Sequence, residues 1–288
     1  MGEGQENSTI EPGSGRFLFR DTADATGKSL TVWYRCPPGA GPDTPIVFAL
    51  HGFDRAGEYF RDCWAAHADR EGFLVVVPEF DNGSFPGGGA YNYGNVIADK
   101  IDNGEEGGVN PRALWSYPVL DRVFETVRDR CGSNRDRFSL FGHSAGGQFA
   151  HRYLALTGAP SVDIAVPTNC GWYMAPDAAM PFPAGVGGLE IENETLIRYF
   201  ERPVVLLLGD ADTDENDSGL SRAPEAMAQG PHRFARGQHY FALCRDKAAA
   251  LGAAFNWRLE IAPGVGHDDA QVAAPAARII ADYLAGRG

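Results

Sequence analysis

A glycine-flanked serine is the strongest chemical feature of the sequence. Gly142–Gly146 (GHSAG) directly follows the apolar run Arg137–Phe141 and precedes a segment with helical periodicity. A serine at such a strand-to-helix turn is held in a strained backbone conformation, and small neighbours avoid clashes there. The turn also places Ser144 at a helix N-terminus, where main-chain N–H groups stabilise an oxyanion. The pattern predicts a nucleophilic serine; the alternative is an ordinary turn of another α/β protein.

A serine hydroxyl needs a base to take its proton, and His267 is the histidine placed to serve. It lies in the glycine-rich segment 263–268 (PGVGHD), between the last predicted strand and the last predicted helix. Loops at the carboxyl ends of parallel strands build the sites of open α/β sheets. We therefore predict His267 as the general base. His143 lies inside the serine turn and is expected to point into supporting structure, and His51 lies on the loop after the strand 45–50. The other four histidines have no such placement: His67, His151, His232 and His239.

The base in turn needs an orienting carboxylate, and the loop after the strand Pro203–Leu208 is rich in them. We predict Asp212 in this role, while Asp210 and Asp214 remain as alternatives. The resulting chain order of serine, aspartate and histidine is the order found on the α/β-hydrolase scaffold.

The same alternating carboxylates could also suggest a calcium loop. Such a loop has glycine at its sixth position and glutamate at its twelfth. Counted from Asp210, these positions hold Glu215 and Ser221. We therefore predict no metal site, and the serine chemistry predicts no cofactor.

Two main-chain amides are candidates for an oxyanion hole. The apolar strand Pro45–Leu50 runs into His51, Gly52 and Phe53, and Gly52 lets the backbone approach a substrate closely. We predict that the N–H groups of Phe53 and Ala145 bind the oxyanion together. The alternative is an ordinary turn at a strand end.

Apolar runs alternate with segments of helical periodicity along most of the chain. This alternation predicts an α/β fold with a mostly parallel central sheet of about eight strands and helices on both faces. Two segments near residues 17–20 and 30–36 are close enough to pair as an antiparallel edge. Further strands are predicted at 45–50, 72–77, 137–141, 162–166, 203–208 and 255–261.

The predicted organisation is a flexible N-terminal segment, residues 1–16, followed by a single catalytic domain, residues 17–288. Two loop insertions, near 80–111 and 171–190, interrupt the alternation and are rich in glycine and aromatic residues. Long loops in a compact domain are usually functional. We predict that they cover the active site and that Tyr93, Trp172 and Tyr173 contact the substrate; the alternative is that the loops simply pack on the scaffold.

The composition argues against two kinds of partner, nucleic acids and membranes. The net charge of −13 argues against nucleic acid, and no apolar run has the length to span a membrane. The five cysteines show no metal-binding spacing and are expected to be reduced thiols, with one disulfide as the alternative. We expect a soluble cytoplasmic protein, unless a leader preceded Met1.

Together, these motifs in this order resemble the α/β-hydrolase superfamily over residues 17–284. The segment 51–57 (HGFDRAG), the stretch 59–64 and the glycine- and aromatic-rich region around Tyr91–Tyr93 are similar to poly(3-hydroxybutyrate)-depolymerase-like esterases. Feruloyl and acetylxylan esterases share much of this pattern. The sequence shows neither a linker nor a polymer-binding domain, which favours soluble or short-chain esters over a crystalline polymer.

The resemblance implies a cofactor-free serine esterase that forms an acyl-enzyme on Ser144 and acts on small or oligomeric esters of the hydroxyalkanoate type. A carbohydrate esterase of the feruloyl or acetylxylan type, a peptidase, a thioesterase or an acyltransferase uses the same machinery, so these activities remain alternatives. A non-catalytic binding protein of this fold is the alternative from another class. The sequence does not indicate the oligomeric state.

Overall fold

One mixed sheet of eight strands organises the chain in a computed structural model that describes residues 9–23, 27–98 and 107–287. In spatial order the strands run β1-β2-β4-β3-β5-β6-β7-β8. Their bounds are β1 Gly13–Arg20, β2 Ser29–Cys36, β3 Ile46–Leu50, β4 Leu74–Glu79, β5 Phe138–His143, β6 Val162–Thr168, β7 Val204–Gly209 and β8 Trp257–Ala262.

Most of the sheet is parallel. The strands from β4 and β3 through β8 pair in parallel, while β2 lies antiparallel to both β1 and β4. This arrangement confirms the predicted mostly parallel sheet. Strand β1, however, begins at Gly13, because all eight of its residues pair with β2 from Gly13↔Cys36 to Arg20↔Ser29. Residues 13–16 therefore belong to the sheet rather than to a flexible segment, and residues 1–8 lie outside the described residues.

Helices cover both faces of the sheet. They are α1 Gly57–Glu71, α2 Gly87–Ala90, α3 Val119–Cys131, α4 Ala145–Thr157, α5 Asn193–Phe200, α6 Pro224–Met227, α7 Arg233–Leu251 and α8 Asp269–Leu284. Helices α1 and α8 pack on one face, and α3, α4, α5 and α7 pack on the other. Alternate residues of β3 divide between these faces, since Val47 and Ala49 join the first core and Phe48 and Leu50 join the second. Burial on both sides explains the uninterrupted apolar strand sequences.

The two insertions pack against the carboxyl end of the sheet. In the first, Phe85 and Tyr91 are fully buried in the core beside Phe80, and residues 99–106 lie outside the described part. In the second, single bridges join Ala175 to Gly185 and Pro181 to Gly187. Within the described ranges, no helix is long and apolar enough to cross a membrane.

Candidate active site

Ser144 occupies a strained turn between β5 and α4. Its φ of 55° and ψ of −114° lie where non-glycine residues are rare. A Cβ atom at Gly142 would lie 2.3 Å from the carbonyl oxygen of Gly146, and one at Gly146 would lie 2.1 Å from that of Leu50. Only glycine fits at either position, so the flanking glycines are what allow the chain to turn this tightly and present the serine hydroxyl at the edge of the sheet.

His267 lies in the loop between β8 and α8 and points at this hydroxyl. Its Nε2 atom is 3.1 Å from Ser144 Oγ, and its Nδ1 atom is 2.8 Å from Asp212 Oδ2. Because an ionised carboxylate only accepts hydrogen bonds, the proton of the neutral imidazole belongs on Nδ1. The lone pair of Nε2 then faces the serine hydroxyl, which is the geometry of a general base.

Of the three candidate carboxylates, the structure joins Asp212 to His267. Asp212 follows β7, is 3% exposed, and also receives a 3.5 Å contact from Arg233 Nη1 on its second oxygen. Asp210 and Asp214 are exposed and accept hydrogen bonds from the backbone instead, from Gly264 N at 2.6 Å and from Asn216 N at 2.8 Å.

The candidate oxyanion amides lie beside the serine. Phe53 follows β3, Ala145 begins α4, and both line the same cleft as Ser144. A Cβ atom at Gly52 would lie only 3.7 Å from the Cβ atom of Ser144, so the two loops are in close contact. Neither amide donates a hydrogen bond to another described residue. Both N–H groups are therefore free to bind a ligand oxygen.

His51 anchors the loop that carries Phe53. Its Nε2 accepts a 3.1 Å hydrogen bond from the amide of Phe80, and its Nδ1 lies 2.8 Å from the carbonyl oxygen of Gly52. Burial lowers the pKa of His51 to about 4, so the ring is neutral and remains an acceptor. The hydroxyl of Tyr91 also donates to the His51 carbonyl at 2.7 Å. His51 is therefore structural.

A second histidine–aspartate pair lies next to the first. His143 Nδ1 is 2.6 Å from Asp269 Oδ1, and the His143 ring lies 4.6 Å from the His267 ring, centre to centre. Burial lowers the pKa of His143 in spite of the Asp269 contact. The pair packs against the candidate base and fixes the position of its ring. Sequence reasoning placed His143 in supporting structure but missed Asp269, two residues after His267.

A cleft of about 810 Å³ opens over Ser144. Tyr93 and Trp172 form one wall, with their rings perpendicular and the indole N–H donating to the Tyr93 hydroxyl at 3.1 Å. Trp172 packs with Ala184 and Ala226 in a small hydrophobic cluster separate from the two main cores, which we call the wall cluster.

Tyr173 does not line this cleft, contrary to the sequence-based expectation. It is fully buried and stacks on Tyr240, with ring centres 4.5 Å apart. Trp172 and Tyr173 are consecutive residues of an irregular loop, where no periodicity fixes which side chain faces the core. The expectation that Tyr173 contacts the substrate is therefore wrong.

The lining also includes charged and polar residues that the sequence did not reveal. It holds three carboxylates, those of Asp54, Asp217 and Asp269, and one arginine, Arg233, which is paired at 2.7 Å with Asp217. Gln148 lies on α4 one turn after Ser144, and this spacing could have identified it. Among the described residues, no group of three or more histidine, cysteine, aspartate or glutamate side chains is arranged to hold a metal ion.

The order of the functional loops defines the class of protein. In the α/β-hydrolase class, a mostly parallel sheet carries a serine turn after its central strand, here β5, an aspartate loop after β7 and a histidine loop after β8.

Comparisons with solved structures agree with this class. Poly(aspartic acid) hydrolase-1 from Sphingomonas sp. KT-1 is 36% identical, with a TM-score of 0.87 over 94% of this chain and 99% of that one. Poly(3-hydroxybutyrate) depolymerase LpqC from Bordetella parapertussis is 33% identical, with a TM-score of 0.87 over 95% and 91%.

An S-formylglutathione hydrolase from Agrobacterium tumefaciens, 17% identical with a TM-score of 0.56 over 98% of this chain and 97% of that one, shares the fold. No protein-family model matches the chain, and no curated protein sequence does. The chain is a serine esterase of the α/β-hydrolase superfamily and is a carboxylic ester hydrolase.

Proposed function

We propose that Ser144 forms an acyl-enzyme with carboxylic esters, with His267 as general base and Asp212 as its orienting partner. The observation that carries the proposal is the continuous contact from Ser144 Oγ to His267 Nε2 at 3.1 Å and from His267 Nδ1 to Asp212 at 2.8 Å. As Oγ bonds to the carbonyl carbon, its proton moves to Nε2. The buried carboxylate of Asp212 then stabilises the imidazolium ion.

The negative charge on the tetrahedral oxygen develops at the N-terminus of α4. The amides of Phe53 and Ala145 donate to it, and the helix dipole has the matching sign. His267 next returns its proton to the leaving alcohol oxygen, and the carbon–oxygen bond breaks. Water then attacks the acyl-enzyme by the reverse path, which frees the acid and restores Ser144. Every proton and electron pair transferred in these steps comes from Ser144, His267, the ester or water, so no other reactant is needed.

The cleft favours a neutral acyl chain. Its lining carries the carboxylates of Asp54, Asp217 and Asp269, whereas the cation of Arg233 is already shared between Asp212 and Asp217. Such a surface, on a chain of net charge −13, repels anionic substrates. A volume of about 810 Å³ accommodates more than one short monomer unit. With the resemblance to the poly(3-hydroxybutyrate) depolymerase, these features support short hydroxyalkanoate-type oligoesters as substrates.

The similarity to poly(aspartic acid) hydrolase-1 favours poly(aspartic acid) as the second candidate substrate. Each of its residues carries a carboxylate, which would meet the acidic lining of the cleft. We therefore rank it below the neutral oligoesters.

The test compares wild type, Ser144→Ala and Ser14→Ala on four substrates: p-nitrophenyl butanoate, a 3-hydroxybutanoate trimer, poly(aspartic acid) and an acyl-CoA thioester. Ser14 is exposed on the edge strand β1, outside the cleft lining, and serves as the matched control. We expect wild type and Ser14→Ala to cleave the two oxygen esters, and Ser144→Ala to lose about 10⁴-fold or more in kcat. Activity retained by Ser144→Ala contradicts the mechanism. Faster cleavage of poly(aspartic acid) or the thioester contradicts the substrate assignment.

A further inference from the structure

Gln148 is the polar side chain best placed to form a hydrogen bond with the acyl chain of the substrate. It lies on α4 four residues after Ser144, its own amide donates to the Ser144 carbonyl at 3.0 Å, and its side chain lines the cleft while only 8% exposed. Ser144 caps this helix and lines the same cleft, so Gln148 lies one turn further along the cleft wall. Its side chain is therefore within reach of the carbons next to an acyl group on Ser144.

The neighbours of Gln148 fix the direction of its side-chain amide. The Oε1 atom contacts Arg152 Nη1 at 3.3 Å and Asn92 Nδ2 at 3.1 Å. Because a guanidinium group only donates, the atom facing Arg152 must be the oxygen. The Nε2 group therefore points away from Arg152. It has no acceptor among the described residues, and it lies against Gly171, which lines the same cleft as Ser144.

Arg152 makes this arrangement rigid. It is fully buried, and its remaining contacts are the carbonyl oxygens of Gln148 and Pro183, at 3.2 and 3.3 Å, and the faces of the Tyr93 and Trp172 rings. No carboxylate of the described residues forms an ion pair with it. A charged donor on Oε1 polarises the amide and strengthens Nε2–H as a donor. The buried cation therefore prepares Gln148 to bind an acceptor oxygen.

We propose that Gln148 Nε2 donates a hydrogen bond to an oxygen on the third carbon of the acyl chain. Gln148 is then a specificity-determining residue that selects 3-oxygenated acyl groups. This oxygen is three bonds from the carbonyl carbon, and a hydrogen bond from the amide to it is about 3 Å long. In a 3-hydroxyalkanoate this oxygen is a hydroxyl at the chain end and an ester oxygen within an oligomer, and both accept. The inference rests on the proposed esterase function and extends it to the acyl chain.

The test uses two p-nitrophenyl esters that differ in one atom. The 3-methoxybutanoate ester carries an acceptor oxygen on its third carbon, and the 3-methylpentanoate ester has a methylene group in its place. The quantity measured is the ratio of their kcat/KM values, which cancels any effect common to both. The variants are Gln148→Met, which removes the polar atoms, and Gln148→Glu, which keeps the contact with Arg152 but replaces the donor by an acceptor. Gln238→Met, on the exposed face of α7, is the matched control.

We expect wild type and Gln238→Met to prefer the methoxy ester by about fivefold to tenfold, as for one buried hydrogen bond. In both Gln148 variants the ratio falls to about one or below. Equal kcat/KM for the two esters in wild type, or an unchanged preference in Gln148→Glu, overturns the inference and leaves the esterase function standing. If wild type cleaves neither ester, the esterase function itself fails.

Discussion

The substitution Asp212→Asn removes one charge at nearly constant shape, and the structure indicates how the new amide must lie. Arg233 Nη1 contacts one oxygen of Asp212 at 3.5 Å, while His267 Nδ1 contacts the other at 2.8 Å. Arginine can only donate, so the asparagine oxygen faces Arg233 and its NH₂ group faces Nδ1. Nδ1 must then accept, the imidazole proton moves to Nε2, and the hydroxyl of Ser144 loses its base.

The expected loss has two parts. Two unit charges about 4 Å apart interact by about 4 kcal/mol at an effective dielectric constant of 20, and this interaction stabilises the imidazolium ion in the transition state. A loss of that size corresponds to about 10³-fold in rate. The unfavourable tautomer adds roughly another factor of ten. We therefore expect kcat to fall by about 10³- to 10⁴-fold.

The assay is the initial rate of p-nitrophenyl butanoate hydrolysis by Asp212→Asn, with Asp210→Asn and Asp214→Asn as matched controls. An asparagine at 210 or 214 keeps the side-chain oxygen that accepts from a backbone amide. Since both residues are exposed, we expect each control to stay within about threefold of wild type. If Asp212→Asn retains more than a tenth of the wild-type kcat, or a control loses as much, the orienting role of Asp212 is refuted.

Three further predictions concern groups around the site. Asp269→Asn should lower kcat about tenfold with little change in KM, because it removes the carboxylate that holds His143 against the candidate base. A decrease in kcat as large as that of Asp212→Asn would make Asp269 the orienting carboxylate. Gly146→Ala should lower the free energy of unfolding in urea by about 3 kcal/mol or prevent folding, because the new Cβ atom would lie 2.1 Å from a backbone oxygen. Gly41→Ala, whose Cβ atom would have nothing within 4 Å, should change this free energy little, and equal effects of the two substitutions would contradict the packing argument. Burial lowers the pKa of His51 from its ordinary value of 6.5 to about 4, so its contribution to the free energy of unfolding is fully present above pH 6.5, and about 3 kcal/mol of it is lost as the pH falls to about 4. Between pH 7 and pH 4.5, urea unfolding should show a smaller decrease in this free energy for His51→Gln than for wild type, and equal decreases would refute the contribution.

The central sheet and the serine turn were predictable because their causes are local. Strands buried on both faces need continuous apolar residues, and the turn at Ser144 needs glycines at 142 and 146. The order of the serine, aspartate and histidine loops then follows from the order of the strands. These parts of the fold depend on short-range patterns that one sequence contains.

The remaining details depend on contacts between distant segments. Strand β1 begins at Gly13 because β2 supplies eight pairing residues, although Gly13–Gly15 has no strand-forming side chain. The choice among three aspartates depends on a turn in which the Asp212 amide bonds to the Gly209 carbonyl at 3.2 Å and the side chain turns inward. Helix α4 is buried along nearly its whole length, so no polar face marked Gln148, and its position one turn after Ser144 was the one sequence signal that pointed to the cleft.

The separate wall cluster has a consequence for how selectivity can change. Trp172, Ala184 and Ala226 pack with one another rather than with either main core, whereas the serine, aspartate and histidine loops are attached directly to strands of the sheet. A substitution in the wall cluster reshapes the cleft without opening a cavity in either large core. The wall and helix α4 meet at Arg152, which packs on the face of Trp172. The reacting groups and the substrate-facing wall are therefore distinct parts of the molecule, and directed mutagenesis can retune selectivity at the second while conserving the first.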